Sequence, residues 1–156
     1  MTQKMHNLVC SKMIGHILLP LFLLASTVVA LKCGCNKMLI PFVEAELTRL
    51  KLSKDIIAVQ PAAKCTEEAC EITETETMAP ACLAIVAEIY GVRACVHVAK
   101  KFTHLPKCFQ FEKADMSIKG RWCLEGDQCN QELPNDENCP DPKSFKSFLA
   151  LTKEEL

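Results

Sequence analysis

Ten cysteines lie within roughly a hundred residues: Cys33, Cys35, Cys65, Cys70, Cys82, Cys95, Cys108, Cys123, Cys129 and Cys139. Nothing else in the chain constrains its folding as strongly. Each cross-link removes conformational freedom from the unfolded chain, worth about 2–4 kcal/mol. Five of them can stand in for much of an apolar interior. Such cysteine usage also points to an oxidising compartment. The eleventh, Cys10, lies apart near the N-terminus, and the even ten is what a closed framework requires.

Residues 1–30 have the order of a secretory signal peptide. Lys4 and Lys12 come first with no acid, residues 14–24 are apolar, and Val28-Val29-Ala30 follows where a signal peptidase reads. Cleavage there removes Cys10 and leaves residues 31–156 as a single disulfide-rich domain. An uncleaved anchor is the alternative, since residues 14–30 are about long enough to span a bilayer. Pro20 and the Val-Val-Ala exit favour cleavage. The leader holds two of the 18 basic residues and none of the 19 acidic ones, so residues 31–156 carry a net charge of −3. With no basic block, that balance gives no footprint for nucleic acid. No Asn-x-Ser/Thr sequon and no second long apolar run occur, so the processed chain is expected to carry no transmembrane segment.

Composition favours helix. Residues 31–156 hold thirteen alanines but only four glycines and one tyrosine. Pro41 suits a first helical position, and Val43, Leu47 and Leu50 recur on one face, predicting a helix over 41–51. Ser53 can cap a short helix over 54–59 that Pro61 stops. Residues 61–81 read as an acidic, solvated excursion, although the alternation at 71–75 would also suit an edge strand. In 82–102, Ile85, Ile89, Val92, Val96 and Ala99 form a helical stripe. Alternation at Val92, Ala94, Val96 and Val98 offers a hairpin turning near Tyr90-Gly91 instead. The composition decides for helix. Residues 109–140 read as irregular and fastened by cystines, with Trp122 packed on a disulfide. Residues 142–156 form a C-terminal helix or tail, with Phe145, Phe148 and Leu149 as its apolar face.

Several residues offer chemistry. Cys33-Gly-Cys35 is spaced like a redox pair; the plainer reading sends each sulfur to a distant partner. The acids Glu67, Glu68, Glu71, Glu74 and Glu76 lack the spacing of a calcium loop and read as a solvated face. His97 and His104 could join a cysteine in a zinc or nucleophilic site only if that sulfur were unbonded. No cofactor, metal or catalytic residue is expected. The ending Lys153-Glu154-Glu155-Leu156 resembles the Lys-Asp-Glu-Leu signal for retention in the endoplasmic reticulum; alternatively it is the charged end of a helix.

Two family resemblances follow from these residues. Cys35 through two predicted helices to Cys65, then 82–91 and Leu105-Pro106-Lys107-Cys108, resembles the saposin-like family of helical, often lipid-binding proteins. That resemblance implies a Cys35–Cys108 bond and a bond from Cys82 to Cys65 or Cys70. Leu31-Lys32-Cys33, Cys65-x4-Cys70, Val92-Arg93-Ala94-Cys95 and Cys123-x5-Cys129-Asn130 resemble the three-finger family, including the worm ET module. Both families consist mostly of non-enzymatic binders.

The resulting expectation is a small, disulfide-rich, mainly α domain with irregular cysteine-rich loops; the alternative is a small, disulfide-rich β fold of three-finger type. Its role is binding of a protein or lipid without catalysis. A lipid would meet the faces at Val43/Leu47/Leu50 and Ile85/Ile89/Val92. The alternative function is thiol–disulfide exchange by Cys33 and Cys35. The protein is expected to be secreted, or retained in the endoplasmic reticulum lumen through its last four residues.

Overall fold

The computed structural model describes residues 30–113, 115–141 and 143–144. The order is β1 (Ala30–Gly34), α1 (Ile40–Arg49), β2 (Ile57–Val59), β3 (Ala69–Thr73), β4 (Met78–Ala87), β5 (Tyr90–Ala99), β6 (Cys108–Lys113), β7 (Met116–Cys123) and β8 (Lys143–Ser144). Short 3-10 turns lie at Ala62–Lys64 and Lys100–Phe102. β1 and β3 pair as a two-stranded sheet, and the others form a six-stranded sheet in the order β2-β5-β4-β7-β6-β8. The fold is therefore mainly β. This overturns the expected mainly α class and agrees with the β alternative.

The largest difference from the sequence expectation lies in residues 82–102. They form a hairpin of two ten-residue strands, with Leu83 opposite Ala94 and Ile85 opposite Val92. The two-residue turn is Glu88-Ile89, not Tyr90-Gly91, and Glu88 takes the left-handed conformation (φ 51°). Inward-facing positions are odd on β4 and even on β5, because paired residue numbers sum to an odd value. Reading Ile85, Val92 and Val96 across that parity change gives steps that imitate a helix. The alanines that weighed for helix serve thinness instead. Ala81, Ala84 and Ala94 are fully buried where layers pack closely on the sheet.

Other expectations fare unevenly. The first helix forms as α1, with Pro41 in its first turn and Val43 buried. Ser53 does cap a turn: its hydroxyl accepts from the Asp55 amide and its carbonyl accepts from Ile56 and Ile57. No helix follows, because the β-branched Ile57 and Val59 pair with β5 as β2. The 71–75 alternation is realised in β3, with Ile72 buried. Half of the supposedly irregular 109–140 stretch is the β6–β7 hairpin. Its alternation was hidden by Gly120, an inward position over which the Phe109 ring lies. A Cβ there would sit 1.9 Å from Phe109 Cζ. Lys143 and Ser144 pair in parallel with β6 instead of opening a helix. The remainder of the expected C-terminal helix lies outside the described residues.

Two interiors result. On one face of the large sheet, α1 covers an apolar cluster that includes Val43, Leu83, Val96, Phe102 and Trp122. Trp122 thus packs among hydrocarbon side chains and not in the cystine cluster. On the opposite face, the β1–β3 sheet is fastened by cystines.

Candidate interaction surface

The cystine layer is built by register. Cys33 stands opposite Cys70 on β1 and β3, and Cys82 stands opposite Cys95 on β4 and β5. Opposed residues share a face, so each pair of sulfurs points at the other sheet. The bonds Cys33–Cys82 and Cys70–Cys95 then rivet the sheets at adjacent points. Cys35–Cys65 closes the segment carrying α1 and β2, Cys108–Cys139 returns the chain to β6, and Cys123–Cys129 closes a small ring after β7. All ten cysteines are bonded, but not as the saposin-like resemblance implies: Cys35 joins Cys65, Cys108 joins Cys139, and Cys82 joins Cys33. Cys33 and Cys35 have different partners and are 0% and 1% exposed, so they do not form an accessible redox pair.

Asn130 completes this layer, and sequence reasoning gave it no role. It is 1% exposed. Its Oδ1 accepts from the Gly34 amide at 2.8 Å, and its Nδ2 donates to the Gly34 and Leu83 carbonyls, each at 2.9 Å. One amide thereby ties β1, β4 and the loop after Cys129. Asn36 does similar work at the edge of β5, accepting from the Arg93 amide while its own amide donates to the Arg93 carbonyl.

The apolar faces foreseen for lipid meet only in part. Val43, Leu47, Leu50 and Ile85 line one cleft with Leu83, Phe109, Phe111 and Trp122, whereas Ile89 stands away at the hairpin tip. The cleft holds about 60 Å³, well below the roughly 300–1,000 Å³ of ordinary ligand pockets. It is a seam between α1 and the sheet.

The acids Glu74 and Glu76 are exposed, with Glu74 paired to Lys100. Glu67 and Glu68 form a tight turn between Thr66 and Ala69, both left-handed (φ 51° and 58°). Among the described residues, the one compact group of potential metal ligands is Cys82, Cys123 and Cys129, whose sulfurs are already bonded. His97 Nε2 contacts the Thr73 carbonyl at 2.9 Å, and His104 is exposed. The carboxyl of Asp136 is held below the usual carboxylate range by the hydrogen bond and charge of Lys119. That is a surface pair. Residues 153–156 lie outside the described residues.

Among the described residues, large apolar side chains are exposed at four places: Met38, Phe42, Ile89 and Tyr90. Ile89 (86% exposed) and Tyr90 (64%) crown the longest hairpin. Asn36 fastens the chain before α1 to Arg93, three residues along β5 from Tyr90. Met38 is two residues from Asn36. Chain reach and strand rise therefore place Met38 within about 25 Å of Tyr90. No family model, curated protein or solved structure matches this chain. Among the described residues no helix is long and apolar enough to cross a membrane. The five disulfides fit a secreted or luminal protein.

Proposed function

We propose that this chain is a secreted, disulfide-stabilised binding protein that engages another protein through the tip of the β4–β5 hairpin and performs no catalysis. The observation that carries this reading is the exposure of Ile89 and Tyr90 side by side at that tip. Tyrosine presents much contact area for few rotatable bonds, and aromatic anchors dominate binding energy at interfaces. The hairpin is anchored by the cystine rivets at Cys82 and Cys95, so little ordering accompanies binding. Hairpins projecting from a cystine cluster, together with the Cys129-Asn130 ending, support the three-finger resemblance over the saposin-like one. The narrow cleft speaks against a lipid ligand.

The test uses labelled protein and intact cells of the source organism. Wild-type protein should bind saturably to a protease-sensitive receptor, and unlabelled wild type should compete. Ile89→Asp/Tyr90→Ala, two exposed changes, should leave the melting temperature unaltered yet fail to compete. Equal competition by the variant would reject the hairpin tip. Saturable binding that survives protease and is reproduced by lipid vesicles would reject the protein partner. Secretion predicts an N-terminus at Leu31, checked by sequencing the exported protein.

A further inference from the structure

The five disulfides are not equally protected. Cys123–Cys129 is the one bond with neither residue fully buried. It closes the shortest loop, six residues apart against 25 to 49 for the others, and so constrains the unfolded chain least. Its ring holds two left-handed residues, Gly126 (φ 85°) and Gln128 (φ 53°). The second is a strained conformation for a residue with a side chain.

This half-buried bond also touches a fully buried one. The sulfurs of Cys82, Cys123 and Cys129 all lie within 4.8 Å of one another. Cys82 and Cys123 are direct cross-strand partners on β4 and β7. Opposed residues of an antiparallel pair have Cα atoms about 4.5–5.5 Å apart, which lies within the span a disulfide accepts. The Arg121 guanidinium donates to the Cys129 carbonyl at 2.7 Å, which brings a positive charge to the backbone of that residue.

The geometry points to a thiol-reactive site at Cys123–Cys129, relayed to Cys33–Cys82 through Cys82, with an external dithiol as the co-reactant. A thiolate of the dithiol attacks Cys123 Sγ and expels Cys129 as thiolate beside Arg121. The second sulfur of the dithiol then displaces Cys123 as thiolate and becomes a cyclic disulfide, so two electrons have entered the protein. The Cys123 thiolate attacks Cys82 Sγ. A Cys82–Cys123 bond forms, the Cys33–Cys82 bond breaks, and Cys33 leaves as a thiolate that takes a proton from solvent. This last step is an isomerisation with no net electron transfer. It moves the break from a peripheral ring to the rivet that holds β1.

The experiment is a time course of the native wild-type protein in limiting dithiothreitol, quenched with an alkylating agent and mapped by peptide mass. The expected first products are alkylated Cys123 and Cys129. A Cys82–Cys123 cross-linked peptide with alkylated Cys33 should follow while Cys70–Cys95 stays intact. Initial labelling at Cys108 and Cys139, or a Cys33–Cys82 bond that persists until the protein unfolds, overturns the relay. Cys129→Ser gives a second readout without reductant, because it leaves Cys123 as a lone thiol. Its label should divide between Cys123 and Cys33; label on Cys123 alone rejects the exchange. Should that variant fail to fold, the wild-type time course still decides.

Discussion

The two faces of the large sheet are held by opposite means. Under α1 the interior is hydrocarbon, made of side chains such as Val43, Leu83, Val96 and Phe102 that exclude water by packing. Under β1 and β3 Leu31, Ile40 and Ile72 share the interior with a square of Cys33, Cys70, Cys82 and Cys95, and Asn130 lies beside it. Apolar contacts are non-directional, so the first interior can exchange one side chain for another of similar volume. The second depends on registers and hydrogen bonds that each have one solution. A substitution should therefore be tolerated by degree on the helix side and nearly all-or-none on the cystine side.

The largest expected difference comes from removing a rivet. Replacing both Cys33 and Cys82 by alanine releases a loop of 49 residues, which costs about 4 kcal/mol by chain entropy. That is a large share of the roughly 5–15 kcal/mol that holds a domain of this size together. Hydrogen exchange should show where the loss falls. Amides of β1 and β3 should lose protection first, while those of β4, β5 and β7 keep it. Uniform loss across both sheets would break the comparison and make the two interiors one cooperative unit.

A smaller but sharper effect is expected at Asn130. Asn130→Ala leaves the Gly34 amide, the Gly34 carbonyl and the Leu83 carbonyl without their partner. At about 1–3 kcal/mol for each orphaned group, with some relief from water, the urea midpoint should report a loss near 3 kcal/mol. Asn130→Asp adds a test of sign. The carboxylate would face two carbonyls in a buried site, so its native pKa should lie above its unfolded one. Stability is then retained at low pH, where the group is protonated in both states, and lost as pH rises above the unfolded value. A variant that grows more stable toward neutral pH would mean that Asn130 is less enclosed than its hydrogen bonds imply.

The sequence yielded these two interiors unequally, for a physical reason. Cysteine announces itself by identity, so the covalent framework and all ten members of the cystine set were legible. Their pairing was not, because it depends on strand register, which a helical reading of 82–102 does not supply. On the helix side α1 was legible from Pro41, Val43 and Leu47, since one helix face maps onto one period. The hairpin was not, because its turn shifts the inward parity between Ile85 and Val92 and its buried alanines look like helix formers. Asn130 was legible only as the residue after Cys129 in the three-finger resemblance, and its contacts were not. Its partners Gly34 and Leu83 are 96 and 47 residues away, and nothing local marks a side chain that bonds at such range. The exposed tip residue Ile89 falls in the apolar stripe of the helical reading for the same reason that hid the hairpin, whereas Tyr90 is named only at the turn of the alternative hairpin.

The smallest expected effect has the opposite sign. The turn joining Thr66 to Ala69 places Glu67 and Glu68 in left-handed conformations, with reciprocal hydrogen bonds between Thr66 and Ala69. Two-residue turns of this kind favour asparagine followed by glycine, because side chains at positive φ crowd the backbone. The turn is nonetheless fixed, since Cys65 and Cys70 are bonded away on either side and the Glu68 carbonyl accepts from the Cys35 amide. Glu67→Asn/Glu68→Gly removes the strain and leaves that backbone bond in place. It should raise stability by about 1 kcal/mol, less the added entropy of glycine in the unfolded chain. The gain should survive in the Cys33→Ala/Cys82→Ala background if the turn is set locally, by Cys65 and Cys70 alone. If it vanishes there, the conformation of Glu67 and Glu68 is imposed by the rivets, and the cystine layer governs even its exposed turns.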